Sequence, residues 1–431
     1  MAFKEVRLGD YFKFEKGLGY KGEFLAEESS VGLVGIDSQV PGGGYKENSE
    51  KPYSGPYKLE QVVDVGDVIV AATDITQDGS VLGSTLMIPE STNYETLIYS
   101  GDVMKAIPLK PDEFSLEYFY NLYRVEKYRR KVAYGDTGTT VRRLSEDGIC
   151  EQFVPLPDLP TQLAINEIIS LIDQQISNNR LLSKNLEELI RSIFLSSVTS
   201  KINIENFSEI EVSNSSKLLG KIPQDWKIDS LGKYLSSLES GKRPKGGGSS
   251  DNNGIPSIGA ESITGLGEFN YGKTKYVPGE YFDRMRSGIV KNLDILLYKD
   301  GAGAGNYITL FGEGFPFEKC CVNEHVFILR ASNVSQIYLY FWMEQRKIKD
   351  LMVVLAQKSA QPGLNKSNIS DVPIVIPDKK TLADFEQVSK PLISMILKKS
   401  LDSKILADTR DSILPRLISG ELKIPSELIA S

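Results

Sequence analysis

The sequence predicts an α+β fold in which one mixed α/β domain followed by one long helix is written twice. Short segments recur at offsets of 220–227 residues, the first copy is followed by a stretch (161–199) without Gly or Pro, and strand-like apolar runs alternate with turn signals in both halves. The 431 residues are 41% apolar and 25% charged, the balance of a globular chain long enough for two or three domains. No apolar run approaches the ~20 residues that cross a bilayer. Met1-Ala2-Phe3-Lys4-Glu5 has no apolar segment or small-residue cleavage site, so a cytoplasmic protein is expected.

The repeat fixes the order of elements. Leu8-Gly9-Asp10-Tyr11 recurs as Leu231-Gly232-Lys233-Tyr234. Val65–Val70 recurs in type as Asn292–Leu297, and Glu117-Tyr118-Phe119-Tyr120 as Ile337-Tyr338-Leu339-Tyr340. Leu156-Pro157-Asp158 recurs as Ile376-Pro377-Asp378. Val68–Ala72 and Val326–Leu329 read as buried strands, with one helix near 115–132 and again near 335–356. A Pro-bounded strand closes each domain, at Phe153–Pro157 and Val372–Pro377. The expected boundaries are 1–157 for the first domain, 158–200 for the first long helix and 201–224 for a linker. The second domain is expected over 225–377, and the second helix and tail over 378–431.

A heptad frame fits the first helix, with Ile165, Ile172, Asn179, Leu186 and Ile193 at position a and Ile168, Gln175, Leu182 and Leu189 at d. The second offers Phe385, Leu392, Leu406 and Ile413 at a, with Val388 and Met395 at d. A helix of about 39 residues spans ~58 Å, and its apolar stripe calls for a partner, so an antiparallel coiled coil is expected, with pseudo-twofold symmetry. The simpler alternative packs each helix on its own domain. Polar Gln175, Asn179, Lys399 and Asp402 at mid-helix would set register.

Net charge is −7; residues 1–159 carry 17 basic and 26 acidic side chains, residues 223–377 carry 18 and 16. Any nucleic-acid surface has to be local. Cys150, Cys320 and Cys321 cannot form a disulfide framework. With His325 they could ligate zinc only if adjacent Cys320 and Cys321 converged on one ion, so no metal site is expected. A single histidine argues against histidine-based hydrolysis. Gly301-Ala302-Gly303-Ala304-Gly305 lacks the spacing of a dinucleotide loop. Asp411 and Glu421-Leu422-Lys423 have a nuclease-like spacing but fall at a helix end. There is no Asn/Asp-Pro-Pro-aromatic tetrapeptide of amino-methyltransferases, and no catalytic residue is assigned.

The order domain–helix–domain–helix, Trp226-Lys227 before Leu231-Gly232, Gly241-Lys242-Arg243-Pro244, the joint Leu156-Pro157…Thr161-Gln162 and the terminal Leu414–Leu422 together resemble the specificity subunit of type I restriction-modification enzymes. The first domain departs from the pattern, opening Val6-Arg7-Leu8-Gly9-Asp10 without the Trp or the Gly-Lys-Arg-Pro. The resemblance implies a non-catalytic chain with two target-recognition domains. Each would read half of a bipartite site in double-stranded DNA, with the helices holding the domains apart. It implies modification subunits as partners, with a restriction subunit carrying translocase and nuclease activities. S-adenosylmethionine, ATP and magnesium would sit on those partners, none on this chain.

DNA contact needs flexible backbone, cations for phosphates and polar side chains for base edges. The candidates are Lys16, Tyr20 and Lys21; Thr76 and Gln77; Thr139, Thr140, Arg142 and Arg143; Lys242, Arg243 and Lys245; Asn306; and Gln361, Asn365 and Lys366. The plain alternative for each is a solvated turn or a capped loop. At chain level the alternatives are a stand-alone DNA methyltransferase or nuclease with unrecognised motifs, and a coiled-coil scaffold without a nucleic-acid partner.

Overall fold

The computed structural model describes residues 3–46, 48–74, 80–90, 92–133, 142–202, 222–250, 253–313, 315–358 and 362–429. The chain forms two compact units, Met1–Gln174 with Ala407–Ser431, and Gln175–Leu406.

In the first unit, β1 (Lys4–Arg7), β2 (Phe12–Lys16), β3 (Val31–Val34), β4 (Val68–Ala71), β5 (Thr85–Met87), β6 (Thr96–Tyr99) and β7 (Val103–Pro108) precede two short helices, α1 (Leu116–Arg124) and α2 (Glu126–Ala133). The closing strand β8 (Phe153–Leu156) leads into the long helix α3 (Leu159–Ser197). One antiparallel sheet runs β2-β7-β4-β5, a second pairs β3 parallel to β6, and β1 pairs antiparallel with β8. The all-apolar Val68-Ile69-Val70 is covered on both faces. Val68 and Val70 meet Phe12, Phe14 and Phe119, while Ile69 meets Leu86, Leu97 and Val103.

The second unit repeats this plan. Its strands are β9 (Lys227–Ser230), β10 (Leu235–Ser240), β11 (Ile255–Ile258), β12 (Ile295–Tyr298), β13 (Ile308–Leu310), β14 (Cys321–Val322) and β15 (Val326–Ala331). Helices α4 (Gln336–Met343) and α5 (Arg346–Gln357), strand β16 (Pro373–Ile376) and the long helix α6 (Lys379–Ile418) follow. The sheet β10-β15-β12-β13, the parallel pair β11–β14 and the closing pair β9–β16 reproduce the first unit's topology.

The same devices join domain to helix in each copy. Ser115 and Ser335 N-cap the short helices by accepting from the Tyr118 and Tyr338 amides. The buried hydroxyls of those tyrosines donate to the closing strand, Tyr118 to the Pro155 carbonyl (3.1 Å) and Tyr338 to that of Val375 (2.6 Å). Burial pushes both phenol pKa values up. Asp158 and Asp378 accept from the Thr161 and Thr381 amides at the starts of the long helices.

Each unit holds part of both long helices. In the first, Ile165 and Ile169 of α3 share a core with Leu414, Leu417 and Ile418 of α6. In the second, Phe194 of α3 packs on Phe385 of α6 (centroids 5.3 Å apart) and on Tyr338. Early α3 thus meets late α6 and late α3 meets early α6, an antiparallel pairing.

The expected seam needs a correction. Ile165 and Asn179 are buried, as is Phe385; Ile172, Leu186, Ile193, Leu392, Leu406 and Ile413 are half-buried. Of the d residues, Ile168 is half-buried against the core of the first unit, but the later ones are not companions in a seam. Leu182 and Leu189 are 38% and 48% exposed and Val388 and Met395 each 45%. Buried companions lie four residues after six of the nine a positions, at Ile169, Ile176 and Ile190 on α3 and at Ser389, Ile396 and Leu417 on α6. Each expected single short helix is two, interrupted at Val125 and at Glu344-Gln345, and α6 runs through Pro391, which offers no amide to its own turn.

Candidate nucleic-acid interface

In each unit, segments far apart in sequence converge on the turn that leads into a central strand. In the first unit that turn is Ser100-Gly101-Asp102. The Leu18 amide donates to the Tyr99 carbonyl (2.8 Å), Gly101 to Leu18 (2.8 Å), and Ala72 and Thr73 to Asp102 (2.9 and 3.1 Å). Arg142-Arg143 adds a short strand on Thr73-Asp74. The segments around 17–19, 72–74, 100–102 and 142–143 therefore meet.

In the second unit the turn is Asn323-Glu324-His325. Gly241 donates to the Asn323 carbonyl (3.2 Å), Lys299 to His325 (2.9 Å), Leu364 to Lys299 (2.9 Å) and Gly301 to Pro362 (3.0 Å). Glycine is required at the matching positions Gly17 and Gly241. A Cβ at Gly17 would run into the carbonyls of Tyr99 and Ser100, and one at Gly241 into that of Val322.

The side chains on these two frames differ. In the first unit, Thr73 Oγ1 donates to Asp102 Oδ1 (3.3 Å), and Lys51 Nζ pairs with Asp37 Oδ2 (2.6 Å). The Asp37 contact raises the Lys51 pKa, keeping the ammonium charged. These groups line a concavity of about 200 Å³ with Tyr20 and Ser100. The Ser100 hydroxyl is buried and has no partner among the described residues. In the second unit His325 stands where Asp102 stands in the first. Its Nδ1 lies 3.1 Å from Asp300 Oδ2 and its Nε2 3.4 Å from Glu324 Oε1. Arg243 Nε lies 3.0 Å from the same Glu324 oxygen, and Lys299 Nζ 2.5 Å from Asp300 Oδ2.

The candidates distribute as follows. Lys16 is exposed at the end of β2, Lys21 is exposed and 3.6 Å from Glu23, and Tyr20 stands edge-on to Tyr53 (6.4 Å). Arg143 is exposed beside the first turn. Lys242, Arg243 and Lys245 are exposed in the loop after β10, and Asn306 ends the glycine-rich loop after β12. Asn365 is committed elsewhere: it N-caps residues Lys366–Ser370, accepting from the Asn368 amide at 2.8 Å, while Lys366 is exposed. Thr76, Gln77, Thr139, Thr140 and Gln361 lie outside the described residues.

Sequence reasoning missed Asp37, Lys51, Ser100 and Asp102 in the first unit and Lys299, Asp300 and Glu324 in the second. It considered His325 only as a metal ligand. Extending the repeat from β7 and β15 back through the preceding turn would have aligned Ser100-Gly101-Asp102 with Asn323-Glu324-His325. It also missed that Gly267…Gly272-Lys273-Thr274 has the literal spacing of a phosphate loop. No helix follows it: a 3₁₀ turn (Tyr271–Lys273) leads into strand Lys275–Val277 and Thr274 is buried, so the helix N-terminus that would hold a phosphate is missing.

Comparison with known proteins bears on the fold. A crystallised type I restriction-modification S subunit from M. genitalium has the same fold over 99% of this chain and 97% of its own, at 13% identity and a TM-score of 0.57. The duplicated units and paired long helices are thus a fold that this chain shares with that S subunit. The family model for the type I restriction modification DNA specificity domain matches residues 223–406. The MjaVIII specificity subunit of Methanocaldococcus jannaschii is 20% identical over 427 residues, 97% of this chain and 92% of the relative. The MjaIX specificity subunit from the same organism is 23% identical over 316 residues, 72% and 69% respectively. Residues 223–406 thus match the type I restriction modification DNA specificity domain, and the chain is similar over most of its length to specificity subunits of type I restriction-modification systems.

Proposed function

We propose that each unit reads one half of a bipartite site in double-stranded DNA through the loops around its turn, Ser100–Asp102 in the first and Asn323–His325 in the second. The long helices set the spacer between half-sites and dock the modification subunits. The observation that carries this reading is the contrast between frame and filling: matching backbone hydrogen bonds and matching glycines present different side chains, as two readers of different half-sites require. Docking is supported by the apolar ridges left on the helices of the second unit, Leu182 and Leu189 on α3 and Val388 and Met395 on α6.

On this reading the chain is non-catalytic and works in the cytoplasm. Modification subunits bring S-adenosylmethionine, and a restriction subunit brings ATP and magnesium chemistry. The test is methyl transfer to DNA from labelled S-adenosylmethionine, with the chain alone and with its modification subunits. Sequence-specific transfer by the assembly and none by the chain is expected. Transfer by the chain alone would overturn the reading in favour of a stand-alone methyltransferase.

A further inference from the structure

We propose that Arg243 is a guanine-reading side chain of the second unit and that Glu324, braced by His325 and Asp300, positions it. The proposal rests on the function proposed above and names the chemistry of one contact within it. Arg243 meets Glu324 through Nε, at 3.0 Å. Among the described residues neither terminal amino group has a hydrogen-bond partner, so the guanidinium pairs with Glu324 at its base and offers a planar two-donor fork. That fork matches guanine O6 and N7 in the major groove.

Glu324 is itself restrained. Its Oε1 also faces His325 Nε2 at 3.4 Å, and its Oε2 is buried without a partner among the described residues. The other imidazole nitrogen reaches Asp300, whose neighbouring Gly301 is tied to Pro362. The chain Arg243–Glu324–His325–Asp300 thus links the loop after β10 to the loop after β12 and to the segment before Asn365.

A phosphate contact needs only charge, and Glu324 already offsets the charge of Arg243. Lys242 and Lys245, exposed on either side and without a carboxylate partner among the described residues, supply unneutralised cations better suited to phosphates. The first unit provides the internal comparison. Its equivalent turn carries Asp102 bonded to Thr73, with Gly101 in place of Glu324 and Gly19 in place of Arg243. The fork and its support are both present in one unit and both missing from the other.

The test uses the full chain assembled with its modification subunits, methylating a randomised DNA library, with binding measured over a salt series. R243K keeps the charge and removes the fork. Its expected effect is loss of discrimination at a single guanine, roughly five- to hundredfold, with the other positions and the salt slope unchanged. E324Q relaxes the same position less, and K242A leaves the recognised sequence intact while lowering the slope by about one. The proposal is overturned if R243K keeps the sequence and lowers the slope, if the relaxed position is not guanine, or if E324Q leaves that position unaltered. A wild-type assembly with no sequence preference would sink the underlying reading before any variant is compared.

Discussion

Asp173 is the place where the first unit's hold on the long helices can be tested. Its carboxylate meets Arg124 in a two-bond fork (Oδ2 to Nη1 2.6 Å, Oδ1 to Nη2 3.1 Å) and also accepts from Arg410 Nη1 (2.7 Å). Arg124 lies on α1, Asp173 on α3 and Arg410 on α6, so one carboxylate ties three helices. The Arg124 side chain is 6% exposed and that of Asp173 32%. Replacing Asp173 with Asn leaves two guanidiniums facing each other around a neutral amide. Losing one partner of a fully buried pair costs ~3–5 kcal/mol; with a third of Asp173 in solvent, screening reduces this to about 2–3 kcal/mol.

For a unit of this size, each kcal/mol moves the melting temperature by ~2–4 °C, so D173N should melt about 5–10 °C lower at neutral pH in calorimetry. Burial alone would raise the Asp173 pKa, but the hydrogen bonds and charges of Arg124 and then Arg410 outweigh it, and the group lies below its ordinary value. A carboxylate with a depressed folded pKa stabilises above its unfolded value of about 4 and loses that contribution as pH falls through the folded value. The gap between wild type and D173N should therefore shrink below about pH 4. A gap under 1–2 °C at neutral pH, or one that stays constant into acid, would refute the account of Asp173 as the charged tie.

Asp378 accepts from the Thr381 hydroxyl and amide, Trp226 Nε1 and the Lys380 amide, which holds its pKa down to about 2. Wild type should thus lose its advantage over D378N only as pH falls from about 4 toward that value, visible as converging melting curves of the second unit. Gly241→Ala forces the Lys242–Arg243 loop off the Val322 carbonyl and should cost ~1–3 kcal/mol, with weakened recognition of one half-site only, read by methylation of half-site variants. Four residues inserted after Asn179 lengthen α3 by ~6 Å and rotate it by ~40°. With a matching insertion in α6, methylome mapping should show a longer accepted spacer with unchanged half-site bases.

Much of the fold is legible in the sequence because duplication states it twice. Leu8-Gly9 and Leu231-Gly232, the closing strands and the capped long helices all recur in order. The breaks at Val125 and Glu344-Gln345 were hidden because neither carries Gly or Pro; Val125 is extended and buried, so core packing overrides local helix preference there. The seam was misassigned because adjacent positions are both apolar, as at Ile168-Ile169 and Leu189-Ile190, and counting apolar residues cannot separate companions at three from companions at four. The site was least legible. Arg243 meets Glu324 and Asp300 meets His325 only through the sheet, and acidic residues are not sought when cations are the signal.

The duplication also raises a pairing problem that the charges answer. Two similar domains and two similar helices could be matched in either combination. Positions 124 and 344 are equivalent in the repeat, yet one is arginine and the other glutamate. In the first unit Arg124 faces Asp173 and lies in the field of Asp411. In the second, Glu344 accepts from Arg191 of α3 at 2.6 Å, with Lys349 beside it at 2.7 Å, and is 6% exposed. Asp411 on α6 and Arg191 on α3 are themselves equivalent positions at an offset of 220. A swapped docking would therefore set Arg191 against Arg124 and Asp411 against Glu344, placing a like charge beside each of two side chains that are only 6% exposed. Repulsion of that kind excludes a competing arrangement without adding much to the stability of the correct one. The apolar positions of the joint, such as Ile165 with Leu414 in one copy and Phe385 with Phe194 in the other, supply the attraction, and the reversed charges oppose the swapped arrangement.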